Sequence, residues 1–223
     1  MNILVIGEDV HHEECKAKFG ARHTYVFERG HQEAERFISQ HDVTFDFLID
    51  QFPGQMEIYR DHPSAVAFLN TAKATLLELV ASFRNPIRST LFGFNGLPTF
   101  FNREVLEVSL LDDLTAPVLA DLCSKLQTPF LTVADRVGLV TPRVVCMIIN
   151  EAYYTLQEGT ASKEDIDLGM KLGTNYPYGP FEWCKRIGVR HVYELLNAVY
   201  KDTKDERYKI CPLLKNAYYQ AMR

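Results

Sequence analysis

Residues 150–189 read NEAYYTLQEGTASKEDIDLGMKLGTNYPYGPFEWCKRIGV, a stretch whose helix starts and stops are marked by residue type. Just upstream, Pro142 stands where a first-turn proline belongs, because the N–H it lacks would have had no helical partner. From there VVCMIINEAYYTLQE runs to Gly159, a natural stop. Between Arg143 and Leu156 the clearly polar residues are Arg143, Asn150, Glu151 and Thr155. A helix so nearly apolar all round is expected to be buried on most sides, under its own domain or against a second subunit. TASKED then supplies Ser162 as N-cap and Asp165 in the capping-box position of a helix ending at Gly173. NYPYGPFEW is a turn opening a short helix toward Gly188, RHVYELLNAVY is amphipathic, and Pro212 starts a last helix.

The first 135 residues have a different texture. Short β-rich runs, NILVIG, HTYVFERG, DFLIDQF, AVAFLNT, STLFGFN, EVLEVS and PFLTVAD, alternate with segments of helical period. That alternation predicts a mostly parallel sheet wound with helices, and continuous apolar runs such as DFLID and AVAFL suit strands covered on both faces. The expected organisation is an α/β domain over 1–135 and an all-helical domain over 136–223, with the boundary near Ala134 to Gly138.

Bulk composition narrows the function classes. The 223 residues are 47% hydrophobic, enough for a proper core, and carry a net charge of -5. Lys and Arg are scattered without a basic stripe, so nucleic acid is set aside as a partner. Five cysteines, at 15, 123, 146, 184 and 211, are odd in number and form no C-x-x-C pair, which suggests neither a disulfide framework nor structural zinc. The apolar start is too short for a signal h-region and no run approaches membrane-spanning length, so the expectation is a cytoplasmic protein without membrane partners.

Residues 150–189, with the following RYKICPLLK, strongly resemble the C-terminal domain of NAD-dependent 3-hydroxyacyl-CoA dehydrogenases. The shared features are the N-E-A helix, the E-G-x-A-S-x-E-D-I-D turn, M-K-L-G and P-x-G-P-F-E. PFLTVADRVGLVTPR follows the family's strand and D-x-P-G-F-x-x-N-R passage, with Asp135, Gly138 and Arg143 in register. More weakly, AVAFLNTAK resembles the strand leading into the N-T-S loop, and STLFGFNGLPTFFNREVLEV the segment of the catalytic histidine and its glutamate partner. The resemblance implies a truncated Rossmann-like domain followed by the family's helical domain, which is expected to form a homodimer. One passage is short: between Glu28, which ends the second strand, and Asp46, where the third is expected to begin, the family carries a long helical excursion and a further strand that help hold CoA.

In the family a histidine takes the proton from the 3-hydroxyl while hydride leaves for the nicotinamide, a glutamate orients that imidazole, and a serine and an asparagine hold substrate oxygens. Carried over by register, the resemblance places Glu107 on the glutamate and Asn95 on the histidine. A second register, matching Phe100, Phe101 and Asn102, puts Thr99 there instead. Neither residue is a base, and no histidine lies between His62 and His191. Ala72 falls on the serine, with Thr71 or Thr75 able to supply a hydroxyl after a shift. Pro142 falls on the asparagine and has no amide to offer. Loss of a general base alone lowers a rate by about 10²- to 10⁴-fold.

The cofactor motif G-x-G-x-x-G is similarly reduced. Its glycines serve the turn, the approach of backbone to pyrophosphate, and close helix–strand packing. Gly7 matches the first, Asp9 occupies the second and His12 the third, while Glu8, Asp9, Glu13 and Glu14 gather negative charge at the helix start. Glu28 is placed like the acid that binds an adenine ribose. His11 and Cys15, four residues apart, would give a metal two ligands and no third, and the plainer reading is an exposed polar helix start.

Three functional expectations follow. The first is a catalytically degenerate family member with no bound cofactor, acting by binding or assembly with an acyl-CoA or a fatty-acid-metabolism partner. The second is an active NAD(H)-dependent oxidoreductase on a short 3-hydroxyacyl-CoA or related hydroxy acid. The third is different chemistry using Asn95, Glu107 and a nearby threonine.

Overall fold

The computed structural model describes residues 1–83 and 86–223. They form two compact units, Met1–Leu139 and Val140–Arg223.

The first unit is built on seven strands: β1 (Asn2–Ile6), β2 (Thr24–Glu28), β3 (Val43–Asp46), β4 (Val66–Asn70), β5 (Thr90–Phe94), β6 (Leu106–Leu110) and β7 (Phe130–Val133). Their order is β2-β1-β3-β4-β5-β6-β7, and β5–β6 is the antiparallel pair in an otherwise parallel sheet. Alternate strand residues feed two cores. Ile3, Val5, Phe45, Phe68 and Phe92 join Cys15 and Phe19 of α1 (Asp9–Phe19) on one face, while Leu4, Ile6, Ala67 and Leu69 join Ile38, Met56 and Tyr59 on the other. Both faces being covered is why NILVI and AVAFL read as continuous apolar runs.

The passage from β2 to β3 holds only a four-residue helix, α2 (His31–Ala34), and a 3₁₀ segment, so β2 is the edge of the sheet. β3 corrects the expected strand start. Asp46 is its last residue, and Phe47, Leu48 and Ile49 of DFLID are buried in the turn that follows. Their burial comes from filling the space over the strand ends, not from lying in the ladder. Two further helices, α3 (Leu76–Ala81) and α4 (Ala116–Leu126), complete the unit.

The second unit is helical: α5 (Thr141–Gln157), α6 (Lys163–Thr174), α7 (Pro180–Ile187), α8 (Val189–Thr203) and α9 (Pro212–Ala221). Ser162 caps α6 by accepting the Asp165 N–H at 3.1 Å. The helix runs one residue past Gly173 and closes on Asn175, whose φ of 57° is tolerated by asparagine. Asn150 explains why N-E-A and RYKICPLLK occur together. Its amide donates to the Lys209 carbonyl and accepts the Cys211 N–H, each at 2.9 Å. Asp167 plays the same part for P-x-G-P-F-E, accepting the Phe181 and Glu182 N–H groups at 2.8 and 3.0 Å and so satisfying the first turn of α7. Gly179 must lack a side chain there, since a Cβ would lie 2.3 Å from the Asp167 carboxylate carbon.

α5 is expected to be buried under its own domain or against a second subunit, and within the single chain one side of it is covered. Val145, Cys146, Ile149, Ala152 and Tyr153 face the core, but Val144 is 55% exposed. α6 contributes no fully buried residue, and its Leu168 and Leu172 are 52% and 78% exposed.

Candidate functional site

The carboxyl ends of the parallel strands are where an open α/β sheet binds ligands, so the loops after β1, β3, β4 and β5 define the candidate site. Gly7 follows β1 and donates its N–H to the Glu28 carbonyl at 3.0 Å. The space above it is taken by His11. A Cβ on Gly7 would lie 2.8 Å from His11 Nδ1 and 2.9 Å from His11 Cβ, so glycine is needed there to admit an imidazole.

His11 is 4% exposed, which corrects the reading of an exposed helix start. Its Nδ1 accepts the Glu8 N–H at 2.9 Å, using a donor at the helix entrance that an anion would otherwise meet. The ring stacks on Phe47 at 4.5 Å. Burial pushes its pKa down to about 4, so the ring is neutral near pH 7 with the proton on Nε2 and the lone pair on Nδ1. His12, at the third-glycine position, stacks on Phe27 of β2 at 4.6 Å, so helix and strand are spaced by a ring instead of in direct contact. The metal reading of His11 with Cys15 gains no third ligand: among the described residues no group of three His, Cys, Asp or Glu is placed to hold an ion.

The acids at the helix start act less uniformly than their charge suggests. Asp9 pairs with Arg29 at 2.6 Å, both largely exposed, and Glu14 turns inward to accept the Thr99 N–H at 2.7 Å. An unscreened charge near a phosphate would cost about 1 to 4 kcal/mol at 4 Å, and Arg29 offsets part of that. The filled volume over Gly7 is the stronger obstacle. Pyrophosphate does not fit this loop as it stands.

Asn70, at the end of β4, ties the other loops together, donating to the Phe47 carbonyl at 3.1 Å and accepting the Gly96 N–H at 3.0 Å. Gly96 is close-packed for the same reason: a Cβ would lie 2.8 Å from Asn70 and 3.0 Å from Phe47. Asn95 lies one step beyond the Phe94–Val108 pair of the antiparallel ladder, which puts it in register with Glu107. The strands therefore bring these two positions opposite each other. Asn95 is 5% exposed and turns its Oδ1 to the Leu97 N–H at 3.1 Å. Glu107 is partly buried, and its charge counters the burial that lowers the Arg103 pKa. Thr99, the other histidine register, sits at φ 74°, a conformation strained for a β-branched residue. Ala72 is fully buried and its carbonyl accepts the Gly138 N–H at 2.9 Å. Pro142 lies in the first turn of α5.

Glu28 closes β2. Its side chain is 3.9 Å from Arg36 and borders an open cavity of about 520 Å³ with Phe27, Arg29, Gly30 and Glu33. A neighbouring cluster escaped the sequence reading: buried Asp46 receives His31 and Tyr59 at 2.9 and 2.8 Å. These residues have no common spacing, and the one available signal was an acid between two phenylalanines, Phe45 and Phe47.

Residues 138–221 match the family model described as 3-hydroxyacyl-CoA dehydrogenase, C-terminal domain. The chain belongs to the 3-hydroxyacyl-CoA dehydrogenase family. Its similarity to other 3-hydroxyacyl-CoA dehydrogenase relatives is uneven along the sequence. It is 46% identical over 85 residues to a 3-hydroxyadipyl-CoA dehydrogenase of Escherichia coli, covering 38% of this chain and 18% of that one. It is 32% identical over 146 residues to a 3-hydroxybutyryl-CoA dehydrogenase of Clostridioides difficile, covering 65% and 52%. The chain thus spans about half or less of the length of these two relatives. The fold is shared with the crystal structure of (S)-3-hydroxybutyryl-CoA dehydrogenase from Ralstonia eutropha, at a TM-score of 0.71 and 20% identity over 99% of this chain and 94% of that one.

Proposed function

We propose that this chain is a catalytically degenerate 3-hydroxyacyl-CoA dehydrogenase-family protein that has given up NAD binding and hydride transfer and acts in the cytoplasm by binding or assembly in acyl-CoA metabolism. The observation that carries this reading is the His11 imidazole, stacked on Phe47 in the space above Gly7. Asn95 supports it, since an amide occupying the family's histidine position cannot take a proton from a hydroxyl. The reading also includes a homodimer through the helical unit. Leu168, Leu172 and Val144 are exposed, and a cavity of about 400 Å³ lined by Ile148, Ala152, Ile166 and Met170, with Glu151 and Asp165 among its other residues, opens in the same unit; exposed apolar side chains of this kind suit a subunit contact.

The test follows NADH absorbance in the presence of acetoacetyl-CoA. No loss above the enzyme-free rate is expected, and turnover at ordinary dehydrogenase rates, on the order of 1–10³ s⁻¹, would refute the proposal. Thermal stabilisation by acetyl-CoA without nucleotide is expected if acyl-CoA recognition has been kept. A monomeric mass in solution would remove the dimer from the reading.

A further inference from the structure

The two edges of the sheet are finished differently. β2 ends in Glu28 and leads into Arg29, and both are in ion pairs, Glu28 with Arg36 at 3.9 Å and Arg29 with Asp9 at 2.6 Å. Charge of this kind discourages an edge strand from pairing with another chain. β7, the opposite edge, reads FLTV and carries no charge. Its Leu131 is 61% exposed, and Thr132 is exposed beside it.

The direction of each backbone group on β7 follows from the ladder. The Leu106 N–H donates to the Pro129 carbonyl at 2.9 Å. With Leu106 opposite Phe130 and Val108 opposite Thr132 in parallel register, the Leu131 N–H and carbonyl and the Val133 N–H face β6. Backbone groups alternate in direction along a strand, so the N–H and carbonyl of Phe130 and of Thr132 face away from the sheet. Among the described residues nothing bonds these four groups. Pro129 has no N–H, so the free edge begins at Phe130.

We propose that β7 pairs antiparallel with β7 of a second copy of this chain, about a twofold axis at Leu131. Phe130 then falls opposite Thr132 of the partner subunit, and each donates its N–H to the carbonyl of the other. The axis repeats the pair, so all four outward groups of each chain are satisfied at once. Leu131 meets Leu131 of the partner subunit in the intervening position, where side chains approach most closely, and an exposed apolar residue is covered. This contact lies wholly in the first unit and does not depend on pairing of the helical units; where both occur, the assembly exceeds a dimer.

Sedimentation equilibrium of the full chain reads the assembly. Leu131→Lys sets two ammonium groups opposite each other across the axis. It should lower the mass from dimer to monomer or, where the helical units also pair, from a larger assembly to a dimer. Thr132→Pro removes an outward N–H that the ladder to β6 does not use, and should lower the mass in the same way with the circular dichroism unchanged. Leu131→Cys gives a direct reading of the axis. Residues so paired have Cα atoms about 4.5 Å apart, within reach of a disulfide, and the native cysteines are buried. Oxidised glutathione should therefore link this variant into a covalent dimer. Phe52→Cys, at a side chain 52% exposed in the turn after β3, should give none. An unchanged mass for Leu131→Lys, or no more covalent dimer from Leu131→Cys than from Phe52→Cys, would overturn the proposal.

Discussion

His11 lies nearly flat on Phe47, with ring centroids 4.5 Å apart and planes 11° from parallel. One residue belongs to the first helix and the other, part of the buried core, to the turn after β3, so the contact ties the helix to that turn. Asn70 holds the same turn from the end of β4 by donating to the Phe47 carbonyl.

This contact makes stability depend on acid. The His11 pKa is lowered from 6.5 to about 4 by burial, so as pH falls below 6.5 the unfolded chain takes up the proton before the folded chain does. The contribution is fully present above pH 6.5 and is lost progressively down to about pH 4, amounting to about 3 kcal/mol across the window. His11→Gln keeps an acceptor for the Glu8 N–H and removes the titration. Urea unfolding at a series of pH values should give a wild-type curve that falls more steeply than the variant's between pH 6.5 and 4. Parallel curves would show that His11 is not held neutral by burial.

Asn150 joins α5 to the segment before α9 through two backbone groups, the Lys209 carbonyl and the buried Cys211 N–H. Asn150→Ala leaves the Lys209 carbonyl and the Cys211 N–H without that partner and is expected to destabilise the protein by about 3 kcal/mol. Thermal unfolding reads the change. A loss of less than about 0.5 kcal/mol, the range of an ordinary surface substitution, would contradict the assigned role.

The pair Gly179 and Asp167 gives a coupled prediction. At φ -70° Gly179 is not strained, so Gly179→Ala acts only by displacing the Asp167 carboxylate from the Phe181 and Glu182 N–H groups. Either Gly179→Ala or Asp167→Ala should cost about 1 to 2 kcal/mol, the size of a lost helix cap. The double variant should cost little more than one of them, because the same interaction is removed each time. Full additivity in a double-mutant cycle would refute the shared mechanism.

Much of the helical unit was legible because its signals are local. Ser162 and Asp165, three apart, close a cap within one turn, and Gly159 and Gly188 mark chain reversals by their own positive φ values. The sheet was legible in kind but not at β3, where DFLID has strand composition while its last apolar residues are buried in a turn. At the candidate site, the missing histidine and the substituted glycines could be read from residue type alone. The role of His11 could not, since burial of a polar residue at a helix start depends on Phe47, 36 positions away. The His31, Asp46 and Tyr59 cluster is equally non-local, drawn from a short helix, a strand end and a 3₁₀ turn.

Calorimetric titration of the purified chain with NADH at pH 7.5 addresses the central claim most directly. With the His11 ring above Gly7 and Asp9 and His12 in place of glycines, no saturable heat is expected up to millimolar nucleotide. Saturable binding at micromolar concentration would mean that the loop opens to accept the cofactor, and would contradict the account of a closed site.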